Sequence, residues 1–231
     1  MLAVSALNQS YGQSHTLWDV DLNLPKGSCT CLMGRNGVGK TTLLKCIMGL
    51  LNTSSGSIRF ADQALTHLPA EKRAPLGIGY VPQGREIFPL LTVEENLKTG
   101  LAAGRQKTNT VPERILEIFP VLKQMLHRRG GDLSGGQQQQ LAIGRALVVE
   151  PELLILDEPT EGIQPNIVHE IGEIIIQLNK EQGLTVLLVE QKLPFAKRVG
   201  SRFCIMEKGK AVAVGDMESL GDDIVQRYLT V

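Results

Sequence analysis

Apolar residues follow two different periods along this chain, and each period predicts a different kind of element. Near the start, hydrophobic and polar positions alternate over 2–7 and 17–24, as in strands with one buried face. Later, the largely apolar runs at 153–156 and 185–189 are typical of strands covered on both faces. The chain is therefore predicted to begin with half-buried strands and to continue into fully buried ones.

Other segments place their apolar residues at helical spacing. This spacing predicts helices over 42–50 and 166–179. Two short apolar segments at 203–206 and 211–214 flank a turn that contains glycine, so they predict a hairpin. The remaining predicted elements are strands at 28–33, 57–60 and 78–82, a polar loop at 104–110, and a short helix after 217.

The middle of the chain, from 83 to about 150, is mostly helical in pattern. Thr92 and Glu95 have the spacing of a capping box, and Pro112 suits the first turn of a second helix. A third helix is predicted over 138–149. Because predicted strands lie on both sides, we interpret this segment as a helical subdomain inserted into an α/β core.

Composition narrows the class of protein. The 231 residues are enough for one large α/β domain, and 42% of them are hydrophobic. The formal net charge is +0, which argues against strong non-specific binding of nucleic acid. No apolar run approaches the roughly 20 residues of a membrane span, and no signal-peptide pattern opens the chain. We expect a cytosolic domain that reaches a membrane only through a partner.

The four cysteines do not have a convincing metal-ligand spacing. Cys29 and Cys31 alternate along a predicted strand and would share one face, but no second pair accompanies them. Cys46 and Cys204 are isolated. We therefore favour buried, reduced thiols over a metal site.

A glycine-rich segment of the form G-x-x-x-x-G-K-T lies between a predicted strand and a predicted helix. Its glycines allow backbone N–H groups to face a polyphosphate, Lys40 adds a positive charge, and the Thr41 hydroxyl suits a magnesium ion. A chance glycine-rich turn is the alternative, but the helix N-terminus that follows already favours an anion. The predicted nucleotide-binding residues here are Gly34, Arg35, Asn36, Gly37, Val38, Gly39, Lys40, Thr41 and Thr42.

Two carboxylates follow the buried strand at 153–156, at the end where α/β sheets bind ligands. Asp157 suits a contact with magnesium, and Glu158 is placed to polarise a water for attack on a γ-phosphate. A solvated acidic turn is the alternative. The phosphate-binding loop in the same chain favours the catalytic interpretation.

A second anion-binding loop is predicted just before the helix at 138–149. Serine and two glycines at a helix N-terminus offer free backbone N–H groups. The two loops need not serve the same nucleotide in the same subunit. The residues of this second loop are Ser134, Gly135, Gly136 and Gln137.

The order of these motifs resembles the ATP-binding cassette (ABC) ATPases over essentially the whole chain. The phosphate loop, Gln83 after a strand, Leu-Ser-Gly-Gly-Gln and Leu-Asp-Glu follow one another as in that family. The resemblance implies a single α/β domain over 1–231 of the P-loop NTPase fold, with a mixed sheet core and an N-terminal antiparallel β subdomain. It also implies that 1–82 and 151–231 form the core and that 83–150 form an inserted α-helical signature subdomain.

The resemblance also implies how the site works. Two cassettes would dimerise head to tail, with ATP and Mg²⁺ between the phosphate loop of one and the signature loop of the other. Ser134 and Gly136 would then contact the γ-phosphate bound by the opposite subunit. Gln83 would sense magnesium, and Tyr11 would stack on adenine, although a strand-end tyrosine without that role is the alternative.

The finer resemblance is to the ATPase subunits of branched-chain amino acid and urea importers. It rests on 81–97 and on 157–165, and Gln83 with the run Thr-Glu-Gly-Ile-Gln-Pro is most similar to the urea group. This implies an energy-coupling subunit, cytoplasmic and peripheral on the inner face of the plasma membrane. Its implied partners are a second ABC ATPase subunit and transmembrane permeases, with no nucleic acid.

One position departs from the family pattern. Most cassette ATPases have a histidine two residues past the last core strand, whereas this chain has Gln191 there. Glutamine can donate a hydrogen bond to a phosphate but cannot become cationic. In the family resembled, one of two paired subunits often carries this form, which suggests a heterodimer with two unequal sites.

Two other functions compete with import. A soluble cassette acting on nucleic acid or ribosomes would usually carry two cassettes or a long insertion, and an export cassette is the third candidate. Within the import hypothesis, 84–100 would dock on the permease through apolar contacts, or else these residues would be ordinary local core. The apolar residues concerned are Phe88, Pro89, Leu90 and Leu91.

Overall fold

The computed structural model of the chain describes residues 1–104 and 108–229, so the centre of the predicted polar loop at 104–110 lies outside the described residues. The strands are β1 (Leu2–Tyr11), β2 (Ser14–Leu24), β3 (Cys29–Met33), β4 (Ser55–Phe60), β5 (Gln63–Ala64), β6 (Ile78–Val81), β7 (Leu153–Asp157), β8 (Thr185–Val189), β9 (Arg202–Glu207) and β10 (Lys210–Asp216). The α-helices are α1 (Lys40–Ile47), α2 (Val93–Ala103), α3 (Glu113–Ile118), α4 (Pro120–Gln124), α5 (Gly135–Leu147), α6 (Pro165–Gln182), α7 (Leu193–Val199) and α8 (Asp222–Tyr228).

The strands form two sheets. A four-stranded antiparallel sheet has the order β2-β1-β4-β5, and a six-stranded sheet has the order β10-β9-β3-β8-β7-β6. In the larger sheet β9, β3, β8, β7 and β6 run parallel, while β10 pairs antiparallel with β9 at one edge. The α/β fold with an antiparallel N-terminal sheet, a mixed core sheet and an inserted helical segment is therefore confirmed.

The larger sheet is buried on both faces, which explains the apolar runs. Along β7, Leu154 and Leu156 belong to the core beneath the helices, whereas Leu153 and Ile155 face the core shared with α1 and the smaller sheet. Successive side chains of a strand point to opposite faces, so each core receives every second residue. Because β9, β3, β8, β7 and β6 are parallel, their carboxyl ends lie along one edge of the sheet, which is where α/β sheets bind ligands.

The structure corrects the bounds of two predicted helices. α5 begins at Gly135 rather than 138, because Ser134 and Gln137 form a complete capping box. α1 spans Lys40–Ile47 rather than 42–50, with Gly39 as its N-cap in a left-handed conformation. The capping box of Thr92 and Glu95 at α2 is confirmed.

The predicted state of the cysteines is also confirmed, since Cys29, Cys31, Cys46 and Cys204 are all buried and free. Cys29 and Cys31 lie in the same core cluster, as expected for alternate residues of a strand. Burial raises the pKa of Cys46 to about 11 and that of Cys204 to about 12. These thiols therefore behave as small apolar side chains. Among the described residues, none of the helices combines the length and apolarity that crossing a bilayer requires.

Arg73 is an internal clamp that the pattern of apolar residues did not predict. Its side chain is 2% exposed. The guanidinium donates to the carbonyl oxygens of Cys46 at 2.9 Å, Leu65 at 2.7 Å and Leu68 at 2.7 and 3.0 Å, and also to that of Ile47. One arginine thereby satisfies the last carbonyls of α1 and ties them to the loop that follows β5.

We expect Arg73→Ala to destabilise the fold by about 3 kcal/mol, because four carbonyls would lose a charged donor and a buried side chain would be removed. The free energy of unfolding in urea measures this loss. The matched control is Arg59→Ala, which removes an exposed arginine bonded to the Asp62 carbonyl at 3.3 Å. That control should stay within about 0.5 kcal/mol of wild type. An equal loss in both variants would contradict the clamp.

Candidate nucleotide site

The phosphate loop and the carboxyl ends of β7 and β8 surround a cavity of about 670 Å³. This volume lies within the range of small-molecule sites. The structure therefore brings the predicted loop, Gln83, Glu158 and Gln191 to one place. The lining residues are Thr16, Asn36, Gly37, Gly39, Lys40, Thr41, Thr42, Gln83, Glu158, Thr160, Glu161, Glu190, Gln191 and Lys192.

Five lining residues were missed by sequence reasoning. Thr16 belongs to β2, and no local signal marks it. Thr160, Glu161, Glu190 and Lys192 are within three residues of Glu158 or Gln191, and this proximity was the available signal. Gly34, Arg35 and Val38 belong to the phosphate loop but do not line the cavity.

The glycines of the loop are required by its backbone. Gly34, Gly37 and Gly39 have φ angles of 143°, 78° and 105°, a region that side chains disfavour. A Cβ at Gly34 would lie 2.3 Å from the Met206 carbonyl oxygen, and one at Gly39 would lie 2.8 Å from Leu17. The sequence G-x-x-x-x-G-K-T therefore folds into a loop that ends at the N-terminus of α1, where backbone N–H groups are free to bind phosphate.

Lys40 lies inside this loop rather than in solvent. Its side chain is 5% exposed, and its Nζ donates to the carbonyl oxygens of Gly34 at 2.7 Å and Arg35 at 2.9 Å. Burial lowers the pKa of Lys40, while the charges of Glu158 and Asp157 oppose that shift. The ammonium group is thus held at the cavity wall by two carbonyls.

Asp157 ends β7 and is 1% exposed. Within 1–104 and 108–229, neither of its carboxylate oxygens has a hydrogen-bond partner of normal geometry. Burial raises the pKa of Asp157 to about 6, against the opposing effects of the Thr41 hydroxyl and Lys40. A buried carboxylate with so few partners is costly, and its oxygens, like the Thr41 hydroxyl, are ligands that Mg²⁺ accepts. Two of the residues predicted to hold the metal, Thr41 and Asp157, therefore fit a magnesium ion.

Glu158 is held between two amides. Its backbone is left-handed with φ 50°, and its N–H donates to the Val189 carbonyl at 3.0 Å. The Gln191 side-chain amide donates to Glu158 Oε1, and Gln83 Nε2 lies 3.4 Å from Glu158 Oε2 and 2.9 Å from Glu161 Oε2. A strained backbone at such a position is typical of functional sites. The carboxylate therefore lines the cavity in contact with both amides.

The signature loop lies apart from this cavity. Ser134 caps α5 by accepting from the Gln137 N–H at 3.4 Å, and the Gln137 side chain accepts from the Ser134 N–H at 2.9 Å. Gly135 and Gly136 occupy the first turn, and a Cβ at Gly136 would lie 2.9 Å from Ile167. As far as the described residues show, none of these four lines the phosphate-loop cavity. The two loops predicted to bind anions are thus separate in the chain.

Tyr11 ends β1 and is 48% exposed, pairing with Ser14 across the β1–β2 turn. It is not among the cavity-lining residues, so its stacking on adenine stays a prediction. Thr16, two residues beyond Ser14, does line the cavity.

This fold and this site define a phosphate-loop ATPase of the α/β class. The sequence pattern of the family described as "ABC transporter" matches residues 17–161, and the chain belongs to that family. The chain is therefore an ABC transporter ATPase, which binds ATP and hydrolyses it for transport.

Individual relatives extend the similarity to nearly the full chain. The high-affinity branched-chain amino acid transport ATP-binding protein BraG of Pseudomonas aeruginosa is 42% identical over 213 residues, 92% of this chain and 91% of that protein. The probable branched-chain amino acid transport ATP-binding protein LivF of Archaeoglobus fulgidus is 40% identical over 223 residues, 95% of this chain and 94% of that protein.

Solved structures are similar as well. The dimeric ATP-binding cassette MJ0796, in a post-hydrolysis state bound to ADP and Pi, has a TM-score of 0.85 at 26% identity, covering 94% of this chain and 99% of that one. The ADP conformation of the cassette MJ1267 has a TM-score of 0.82 at 28% identity, covering 99% and 94%.

Proposed function

We propose that this chain is the energy-coupling ATPase subunit of an importer for branched-chain amino acids, peripheral on the inner face of the plasma membrane. The observation that carries the proposal is the identity of 42% and 40%, over more than nine-tenths of both chains, to two proteins named for that transport. Urea is the second candidate substrate. It is supported by Gln83 and the run at 160–165, which resemble the urea group.

The proposed reaction uses the residues of the cavity in named roles. The loop N–H groups and Lys40 bind the β- and γ-phosphates of ATP, and Glu158 accepts a proton from the attacking water. Gln191 donates to Glu158 and would hold the γ-phosphate when ATP is bound. Thr41, Asp157 and Gln83 would hold a magnesium ion, which when bound neutralises charge on the phosphate oxygens.

The site is proposed to be completed by a second cassette. Ser134 is exposed and lies outside the cavity of its own chain, so it is available to a nucleotide bound elsewhere, and the buried Gly136 follows it in the first turn of α5. A head-to-tail dimer would place them on the γ-phosphate of the partner subunit. Gln191 in place of histidine supports a heterodimer with two unequal sites, although the isolated chain could also pair with itself.

The proposed contact with the permeases lies on the helical segment. Phe88 is 47% exposed and Leu90 79%, while Leu91 is half-buried, so this stretch is only partly local core. Beside it is a groove of about 360 Å³ bordered by α2, α5 and β6. The Arg145 guanidinium packs over the Phe88 ring at 5.3 Å and braces it. An exposed apolar stretch next to a groove suits a docking segment from a membrane subunit.

The test of this function combines purification and uptake. The tagged chain should co-purify from membranes with permeases and a second ATPase, and its deletion should abolish uptake of labelled leucine. Loss of labelled urea uptake with leucine uptake intact would replace the first substrate by the second. Recovery with ribosomes or nucleic acid, and unchanged uptake of both solutes, would refute the transport proposal.

We predict that Gln191→His preserves or raises the rate of ATP hydrolysis. A histidine can still donate a hydrogen bond to the γ-phosphate and can in addition carry positive charge. Steady-state phosphate release by the purified variant measures the effect. Complete loss of turnover with an unchanged melting temperature would contradict the role assigned to Gln191.

A further inference from the structure

Glu190 is a buried carboxylate that the proposed reaction does not use. It follows β8 directly, precedes Gln191, and is 3% exposed. Buried charged groups persist in folded proteins when their hydrogen bonds are satisfied. Both carboxylate oxygens of Glu190 are hydrogen-bonded.

Each oxygen of Glu190 has a distinct partner set. Oε1 accepts from the backbone N–H groups of Gln191 at 2.8 Å and Lys192 at 2.9 Å. Oε2 accepts from the Thr160 hydroxyl at 2.7 Å. One side chain thus joins two successive backbone N–H groups after β8 to the loop after β7.

Two further hydrogen bonds join the loop after β7 to the end of β8 and the loop after it. Lys192 Nζ donates to the Thr160 carbonyl at 2.9 Å, and Thr160 is 1% exposed. The Glu158 N–H also donates to the Val189 carbonyl at 3.0 Å. The two loops that carry Glu158 and Gln191 are therefore held together at three points.

These contacts between the two loops hold the backbone from which the Gln191 side chain extends. The Gln191 side chain is exposed and contacts Glu158 across a separation of 33 residues. An exposed glutamine loses rotamer entropy when it is held in one contact, so a fixed backbone lowers the cost of that contact. Glu190 supplies the fixed backbone, because its carboxylate anchors the N–H of Gln191 itself.

We propose that Glu190 is a positioning residue for ATP hydrolysis, which acts by holding the Gln191 backbone against the Thr160 loop so that Gln191 reaches Glu158 and the phosphate. This inference rests on the proposed roles of Glu158 and Gln191. A purely structural Glu190 would instead contribute to folding and have no energetic connection with Gln191 in the reaction.

A double-mutant cycle on the full chain separates these two roles, measured as steady-state hydrolysis of MgATP in whichever assembly turns over. Glu190→Ala is expected to lower kcat about tenfold with little change in KM, as displaced supporting groups do. Gln191→Ala should lower kcat comparably, and the double variant should be no slower than Gln191→Ala alone. Glu181→Ala, an exposed glutamate on α6, is the control and should be unaffected.

Two further variants keep the test decisive if Glu190→Ala fails to fold. Glu190→Gln should be close to wild type, because its carbonyl oxygen still accepts both N–H groups and its amide can donate to the Thr160 hydroxyl. Thr160→Val removes the hydroxyl that donates to Glu190 but leaves Glu190 in place, so it should lower kcat less than Glu190→Ala does. When combined with Gln191→Ala, it should cause no further loss of kcat.

The outcomes distinguish the inference from the proposed function. Additive losses in the cycle, or a Glu190→Gln variant as slow as Glu190→Ala, would overturn the positioning role alone. Wild-type kcat in Gln191→Ala would refute the proposed role of Gln191 and the inference with it. Non-additive losses, together with rescue by Glu190→Gln, support Glu190 as a positioning residue.

Discussion

Replacing Glu158 with glutamine is expected to reduce ATP turnover at least about 100-fold while ATP binding persists, because a positioned general base contributes in that range. The shape of the site should survive the change. Gln83 and Gln191 both lie against this side chain, and an amide keeps one acceptor oxygen for them. What disappears is the capacity to take a proton from the attacking water.

The measurement is phosphate release compared with nucleotide binding in the same preparation. Glu181→Gln, an exposed glutamate on α6, is the matched control and should hydrolyse ATP like the wild type. With hydrolysis stopped, a nucleotide-dependent dimer should accumulate and be visible by size-exclusion chromatography. Unchanged turnover in Glu158→Gln would refute Glu158 as the base.

The second large effect is expected for Lys40→Ala, in nucleotide binding itself. Lys40 is 5% exposed and is already oriented by the carbonyl oxygens of Gly34 and Arg35. Its charge lies at the wall of the cavity proposed to bind the phosphates, and a charged hydrogen bond in such a setting contributes about 1.5–3 kcal/mol. The dissociation constant for ATP should therefore rise by about 10- to 100-fold.

Calorimetric titration with ATP measures this change, and turnover at saturating ATP should fall as well. The control is Lys180→Ala, an exposed lysine near the end of α6 that does not line the cavity. It removes the same charge from the chain and should leave the dissociation constant unchanged. Equal binding by Lys40→Ala and Lys180→Ala would exclude Lys40 from the phosphate site.

Contiguous motifs were predictable because their chemistry depends on neighbours in the chain. The phosphate loop needs glycines at fixed offsets before a helix, and the capping box at α2 needs only Thr92 and Glu95. Buried strands are recognisable because both faces must be apolar, as in β7 and β8. The α/β class also followed from the hydrophobic pattern, whereas the short elements β5, α4 and α7 were not predicted.

The local sequence pattern gave a wrong helix start where loop and helix signals overlapped, and it missed a buried residue that has no sequence signal. The glycines at 135 and 136 suggested a loop, yet they form the first turn of α5 because Ser134 and Gln137 cap it from both sides. The hydrophobic pattern around Arg73 does not predict that its side chain is buried, because the carbonyls that it binds lie 5 to 27 residues away.

By itself, the sequence determined that this protein has a phosphate loop, a signature loop and a carboxylate pair, because each is a short segment with its own geometry. Only the tertiary structure decided that Gln83 meets Glu158 across 75 residues, that Gln191 meets it across 33, and that Glu190 binds Thr160 across 30. Parallel pairing of β6, β7 and β8 brings these residues to one edge of the sheet. Contacts of that kind depend on strand order, which hydrophobic periodicity does not encode.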